Sequence, residues 1–240
     1  MAAQIEIGKT RIGDVVESNA QELQDHIALA YHEFGLEKTF PEFRDICNQV
    51  AKGLMALGVE KGDHIAFWSH NLPEWVYTQF GSAKMGAVMV TVNTNFRAFE
   101  LEYLLQQSDA TTLIMTGGVR EAEEYLRVIN QVCPELKNSQ PGQLNSEKFP
   151  YLKNVVYLGE ERIPGMYTWK DMLEIGQSIG DDELRAREDT LDPDDVIMMQ
   201  YTSGTTGYPK GVMLTHSNLL GNASSMAEIM ALSTEDTLCI

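Results

Sequence analysis

The chain is poor in positive charge. Across 240 residues, 18 lysines and arginines stand against 35 aspartates and glutamates, a formal net charge of −17. Such a surface repels phosphate backbones and anionic headgroups, which argues against nucleic acid or a membrane surface as partner. An anionic ligand must then be drawn in by a local site, against the overall field. Cysteine is scarce as well: Cys47, Cys133 and Cys239 form no Cys-x-x-Cys pair and are too scattered for a disulfide framework. Reduced thiols in a cytoplasmic protein are expected. The opening residues MAAQIEIGKT lack the basic-then-apolar pattern of a signal peptide. Uninterrupted apolar runs span a few residues, against the roughly 20 that a membrane-spanning helix needs. His26, His32, His64 and His70 show no metal-ligand spacing, and HEFGL at 32–36 is not H-E-x-x-H.

What the chain does have is a hydrophobic fraction of 43% and enough length for one large domain or two small ones. From residue 39 the pattern becomes readable. Thr39 and Glu42 have capping-box spacing with Pro41 in the first turn, and Phe43, Ile46, Val50, Leu54 and Leu57 recur at helical spacing up to Gly58, a suitable C-cap. HIAFW (64–68) reads as a buried strand, and NLPEWVYTQFGSAKMG as a helix capped by Asn71 with Glu74. AVMVTV (87–92), TTLIM (111–115), VVYL (155–158) and VIMMQY (196–201) read as further strands. FELEYLLQQSDA, EAEEYLRVINQVC, the segment opened by Thr168 and Asp171, and DDELRARED read as helices between them. Residues 134–150, with three prolines, read as an exposed loop. Strands alternating with helices indicate an α/β fold with parallel or mixed sheets covered by helices.

The densest chemistry lies at 201–216, YTSGTTGYPKGVMLTH. It sits between two short apolar segments, VIMMQY and GVML, so it is placed as a glycine-rich connection between strands. The next helix is expected from about Ser217, with Leu219, Ala223, Met226 and Met230 as its apolar stripe. A Walker A loop would need a glycine where Pro209 stands, Ser or Thr after Lys210, and a helix directly following. No G-x-G-x-x-G follows a strand either. The stretch is nonetheless suited to phosphate. Gly204 and Gly207 let backbone N–H groups face an anion, Thr202, Ser203, Thr205 and Thr206 offer hydroxyl donors, and Lys210 adds a mobile charge.

This string resembles, without a gap, the signature loop of the adenylate-forming superfamily: acyl- and aryl-CoA synthetases, luciferase and peptide-synthetase adenylation domains. The segment GLMALGVEKGDHIAFWSHNLPEWVYTQFGSAKMGAVMVTVNTNFRAFELEYLLQQSDA is similar to the N-terminal part of fatty-acyl-CoA synthetases, so the resemblance covers roughly residues 25–240. It implies a two-step ligase using Mg-ATP and coenzyme A, which activates a small-molecule carboxylic acid, expected to be a fatty acid, as acyl-AMP and transfers the acyl group to coenzyme A. Carried over by position, Thr202, Ser203, Gly204, Thr205, Thr206, Gly207 and Lys210 would grip the β- and γ-phosphates, with Lys210 acting in catalysis.

The resemblance also implies residues that are expected beyond residue 240: a glutamate holding Mg²⁺, an aspartate holding the ribose, and a lysine on a small C-terminal domain. Residues 1–240 are therefore expected to be an incomplete N-terminal large domain. Two other readings stand beside it: a self-contained ATPase or kinase, which would need its own acidic magnesium site and base, and a non-catalytic nucleotide-binding or interaction module on the same fold. His216 is read first as a helix-capping residue and second as a site-facing donor. Asp194 and Asp195 are read as a turn before a strand rather than magnesium ligands, and Met198 and Met199 as core.

Overall fold

The computed structural model describes residues 6–118, 121, 123–202 and 209–239. The first elements are α1 (Ile12–Glu22), the antiparallel hairpin β1 (Ile27–Tyr31) and β2 (Leu36–Thr39), and α2 (Phe40–Ala56). There follow β3 (His64–Trp68), α3 (Pro73–Met85), β4 (Val88–Thr91), α4 (Ala98–Gln107), β5 (Thr112–Met115) and α5 (Glu124–Val132). The chain continues through β6 (Asn154–Tyr157), β7 (Tyr167–Thr168), α6 (Trp169–Gly176), α7 (Asp181–Glu188), β8 (Val196–Thr202), β9 (Lys210–Thr215) and α8 (His216–Ile229).

Strands β3 to β9 form one seven-stranded sheet in the order β7-β6-β5-β3-β4-β8-β9, parallel throughout except for β9, which runs antiparallel to β8. The mixed α/β expectation is met. Each central strand is apolar on both sides, as a sheet covered on two faces requires. In β3, Ala66 and Trp68 point into the layer of α4 and α5, while Ile65 and Phe67 point into the layer of α2, α3, α6 and α7. The order also creates a switch point: β3 leads to β4 on one side, while β5 lies on the other and leads away to β6. In open α/β sheets ligands gather beyond the carboxyl ends of the strands near such a point.

Local chemistry sets the element ends. Glu42 N–H donates to Thr39 Oγ1 at 3.4 Å and Thr39 N–H to Glu42 Oε2 at 2.9 Å, the expected capping box; Gly58 follows α2 at φ +82°, a conformation costly for other residues. Thr168 and Asp171 form a second box at 3.0 and 2.9 Å and open α6. The cap expected from Asn71 is absent: the N-cap of α3 is Leu72 with no side-chain cap bond, because Pro73 at the first helical position fixes φ and has no N–H to satisfy. Residues 134–150 also depart from a simple exposed loop. Leu136, Leu144 and Phe149 are buried against the α4–α5 layer, closing its lower edge.

Candidate functional site

The glycine-rich stretch joins β8 to β9 as a hairpin. Thr202 pairs with Lys210 and Tyr201 with Gly211, so the two ends of the connection are held side by side at the carboxyl end of β8. Lys210 is the first residue of β9, and the chain after it is strand to Thr215. A P-loop, which enters a helix at this point, is excluded. Thr202 and Lys210 are exposed, free to reach a ligand. Ser203, Gly204, Thr205, Thr206 and Gly207 lie outside the described residues.

The stems are anchored to α4. Tyr103 OH donates to the Pro209 carbonyl at 3.3 Å, and Tyr201 OH donates to Gln107 Oε1 at 2.9 Å. Burial, reinforced by Tyr103 and Asp109, pushes the Tyr201 phenol up to about 12, which keeps it protonated and a donor. Gly211 has a packing reason. A Cβ there would stand 2.7 Å from Met199 Sδ and 3.5 Å from the Tyr201 ring. The side-chain-free position leaves room for Met199 across β9, while the Tyr201 ring would be in ordinary contact.

The neighbouring loop after β4 is fixed by an aromatic pair that sequence reading passed over. Trp68 stacks on Tyr125 at 3.7 Å and 9°. Trp68 Nε1–H donates to the Asn93 carbonyl at 3.2 Å and Tyr125 OH to the Thr94 carbonyl at 2.8 Å. The available signal was the chemistry of the two rings, each apolar with one polar tip that must find a partner when buried. Both sit at the β3–β5 switch point.

His216 is neither a cap nor a site-facing donor. Thr215 caps α8, accepting from Asn218 N–H at 3.2 Å. The His216 ring is fully buried, its Nδ1 accepts from the Ile12 N–H at 3.1 Å, and its Nε2 has no partner among the described residues. Burial, with Arg11 adding to it against nearby Asp195, Asp14 and Asp192, pushes the imidazole down to about 4. The turn before β8 is structural too. Asp195 accepts from Asp192 N–H at 2.7 Å and pairs with Lys61 at 2.7 Å; burial alone would raise its carboxyl, and these partners hold it below the ordinary range. Met198 and Met199 are buried, as read from sequence. Among the described residues no three His, Cys, Asp or Glu side chains converge to hold a metal. A cavity of about 240 Å³ lined by Leu105, Asp109, Ala110, Lys148, Phe149 and Leu152 opens at the amino ends of β5 and β6, the wrong edge for the hairpin.

The described residues thus form a covered, largely parallel sheet with exposed Thr202 and Lys210 paired at the carboxyl end of β8. The model of the AMP-binding enzyme family matches residues 16–240, and the chain belongs to that family. It is 48% identical over 235 residues to YngI of Bacillus subtilis (strain 168), a protein named among the acyl-CoA synthetases, covering 98% of this chain and 43% of YngI. It is 32% identical over 222 residues to the human mitochondrial medium-chain acyl-CoA ligase ACSF2, covering 92% of this chain and 36% of ACSF2. The crystal structure of the anthranilate CoA ligase AuaEII with anthranoyl-AMP superimposes with a TM-score of 0.70 at 26% identity, over 93% of this chain and 38% of that one. The chain thus spans less than half the length of each of these three proteins.

Proposed function

We propose that this chain is the N-terminal, phosphate-holding part of the large domain of an ATP-dependent acid–thiol ligase. The observation that carries the reading is the β8–β9 hairpin, which sets Thr202 opposite Lys210 at the ends of a Ser/Thr/Gly connection. In the reaction a carboxylate oxygen attacks the α-phosphorus of ATP, the bond to the β-phosphate breaks, and pyrophosphate leaves. The thiol of coenzyme A then attacks the acyl carbon, and AMP departs. Here Lys210 neutralises charge growing on the departing phosphates, while Thr202, Ser203, Thr205 and Thr206 donate to their oxygens and Gly204 and Gly207 admit the backbone. Membership of the AMP-binding family supports this, as do the acyl-CoA ligase names of its relatives.

The acid we propose is a fatty acid, in line with the medium-chain name of ACSF2. Mg²⁺ would arrive on ATP; the described residues form no site of their own for it. Buried Cys47 and Cys133 are unpaired thiols, consistent with a reducing cytoplasm, and no helix among the described residues is long and apolar enough to cross a membrane. The deciding experiment is ATP–pyrophosphate exchange by the longer protein with straight-chain and aromatic acids. Exchange that depends on an added acid, followed by CoA thioester formation, is expected. Absence of exchange with every acid would remove the reading.

A further inference from the structure

Among the described residues, two side chains of α4 hydrogen-bond to the hairpin, one to each stem. Tyr103 and Gln107 are four residues apart, so they lie one above the other on a single helix face. Tyr103 OH binds the carbonyl of Pro209, the residue immediately before Lys210. Gln107 Oε1 binds the hydroxyl of Tyr201, the residue immediately before Thr202. Each tie therefore falls one residue from a group that the proposed function places on phosphate. The body of α4 is itself immobilised: Leu101, Leu104 and Leu105 are buried in the sheet's upper layer.

The direction of the ties matters. A bond to the Pro209 carbonyl fixes the plane of the 209–210 peptide, and with it the direction in which Lys210 leaves the backbone. Proline already restricts its own φ, so this contact removes much of the remaining freedom. On the other stem, Tyr201 pairs across the strands with Gly211, and its hydroxyl donates to Gln107 Oε1 at 2.9 Å. We propose that Tyr103 and Gln107 are positioning residues, a two-point strut from α4 that aims Lys210 and Thr202 at the nucleotide phosphates. The inference rests on the phosphate-site reading and deepens it.

The test uses Tyr103→Phe, Gln107→Leu and Gln107→Glu. The last keeps an acceptor for Tyr201. Hydrogen exchange at the amides of residues 201, 202 and 210–212 is measured in the 240-residue chain, beside its urea unfolding midpoint. Tyr103→Phe and Gln107→Leu should raise exchange at these amides roughly tenfold, the scale of one lost hydrogen bond, with the midpoint unmoved. Gln107→Glu should exchange like the parent. In the longer ligase the first two variants should lower kcat for adenylate formation while KM for the acid stays put, and Gln107→Glu should restore kcat. Unchanged exchange in both would overturn the strut. So would a fall in the midpoint with exchange raised everywhere, which marks a merely structural role, or a Gln107→Glu variant as impaired as Gln107→Leu. If the parent ligase shows no pyrophosphate exchange while the amides still respond as expected, the ligase reading fails and the strut remains.

Discussion

His216 Nδ1 accepts the backbone N–H of Ile12 at 3.1 Å, joining residues 204 apart in the chain. The contact ties the start of α8 to the start of α1, where Ile12, Ala83, Ile197 and Leu220 form a small buried cluster. An acceptor at Nδ1 requires the proton to sit on Nε2, so the bond exists only with the neutral ring. Burial holds the imidazole at about 4, below its usual 6.5.

The pH dependence follows from that direction. Between pH 6.5 and 4 the unfolded chain binds the His216 proton and the folded chain does not, so stability rises with pH across this window. The contribution is complete above about pH 6.5 and is lost as pH falls toward 4. A shift of this size is worth about 3 kcal/mol. Carboxylates held low by hydrogen bonds, such as Asp171 through the Thr168 N–H, act at lower pH, since their contribution disappears only as they protonate. Urea unfolding at pH 7, 5.5 and 4.5 should show the loss. His216→Asn, which keeps an acceptor for Ile12 N–H but does not titrate, should flatten the curve between pH 6.5 and 4. An unchanged slope in that variant would assign the effect to other groups.

Lys84 is the second buried ionisable group with a clear consequence. Its side chain is 0% exposed, and Nζ lies 2.6 Å from Glu17 on α1 and 3.0 Å from Glu188 on α7. Replacing it by methionine preserves bulk but leaves Glu188 without its lysine and Glu17 with only the more distant Arg44, at 3.9 Å, among the ion pairs of the described residues. Loss of one partner of a buried pair costs about 3–5 kcal/mol. Glu17 and Glu188 are 38% and 22% exposed, so water relieves part of the penalty and the lower end applies. Lys84→Met should therefore lower unfolding free energy by about 3 kcal/mol, and adding Glu188→Gln should recover part of it. A neutral single variant would show that the carboxylates relax into solvent.

The parts legible in the sequence were those governed by local rules. HIAFW is a strand at the residues read, and Thr39 and Thr168 cap their helices, because a short continuous apolar run and the S/T-x-x-E/D box are written in adjacent residues. The hairpin context of Lys210 was legible for the same reason. What escaped depends on distant partners. His216 looked like a cap because it stands beside a helix start; its actual partner, Ile12, is at the other end of the chain. The stripe of Ala223, Met226 and Met230 has apolar periodicity, yet these residues are exposed, and α8 buries His216 and Leu220 instead. Periodicity reports a face suited to burial and cannot say whether anything covers it. The ties of Tyr103 and Gln107 to the hairpin were invisible for the first reason, being contacts across about a hundred residues.

Lys210 tests the phosphate role directly. It is exposed at the end of β9, and its side chain supports no packing in the core. Lys210→Ala in the longer ligase should slow pyrophosphate exchange about a hundredfold, the scale of one lost charge on a departing group, or roughly 3 kcal/mol of barrier. Thermal unfolding should be nearly unmoved, because a solvated charge contributes little to stability. Exchange at the parent rate would remove Lys210 from the mechanism. A drop in melting temperature that matched the loss of activity would reassign it to the fold.

The 240-residue chain by itself should form no acyl-adenylate and should self-associate. On the proposed reading the hairpin holds one end of ATP, and nothing in the described residues clamps the α-phosphate in line with a carboxylate. That geometry can supply roughly 7 to 11 kcal/mol of the barrier reduction. The same region carries the apolar surface. β9 is the outermost strand, paired only on its β8 side among the described residues, with Val212 43% and Met213 63% exposed. Beside it on α8 and the segment that follows, Met226, Ile229, Met230 and Leu232 are 47%, 78%, 49% and 39% exposed. An open edge flanked by large apolar side chains is a template for association. Sedimentation over a concentration series should show reversible oligomers, and Met213→Lys combined with Ile229→Lys should shift the chain toward monomer without changing its urea midpoint. Both substitutions are at solvent-facing positions, so the fold should tolerate them. A parent chain that stays monomeric at every concentration would show that this face is tolerated in water, and robust pyrophosphate exchange by that monomer would show that the 240 residues suffice for the chemistry.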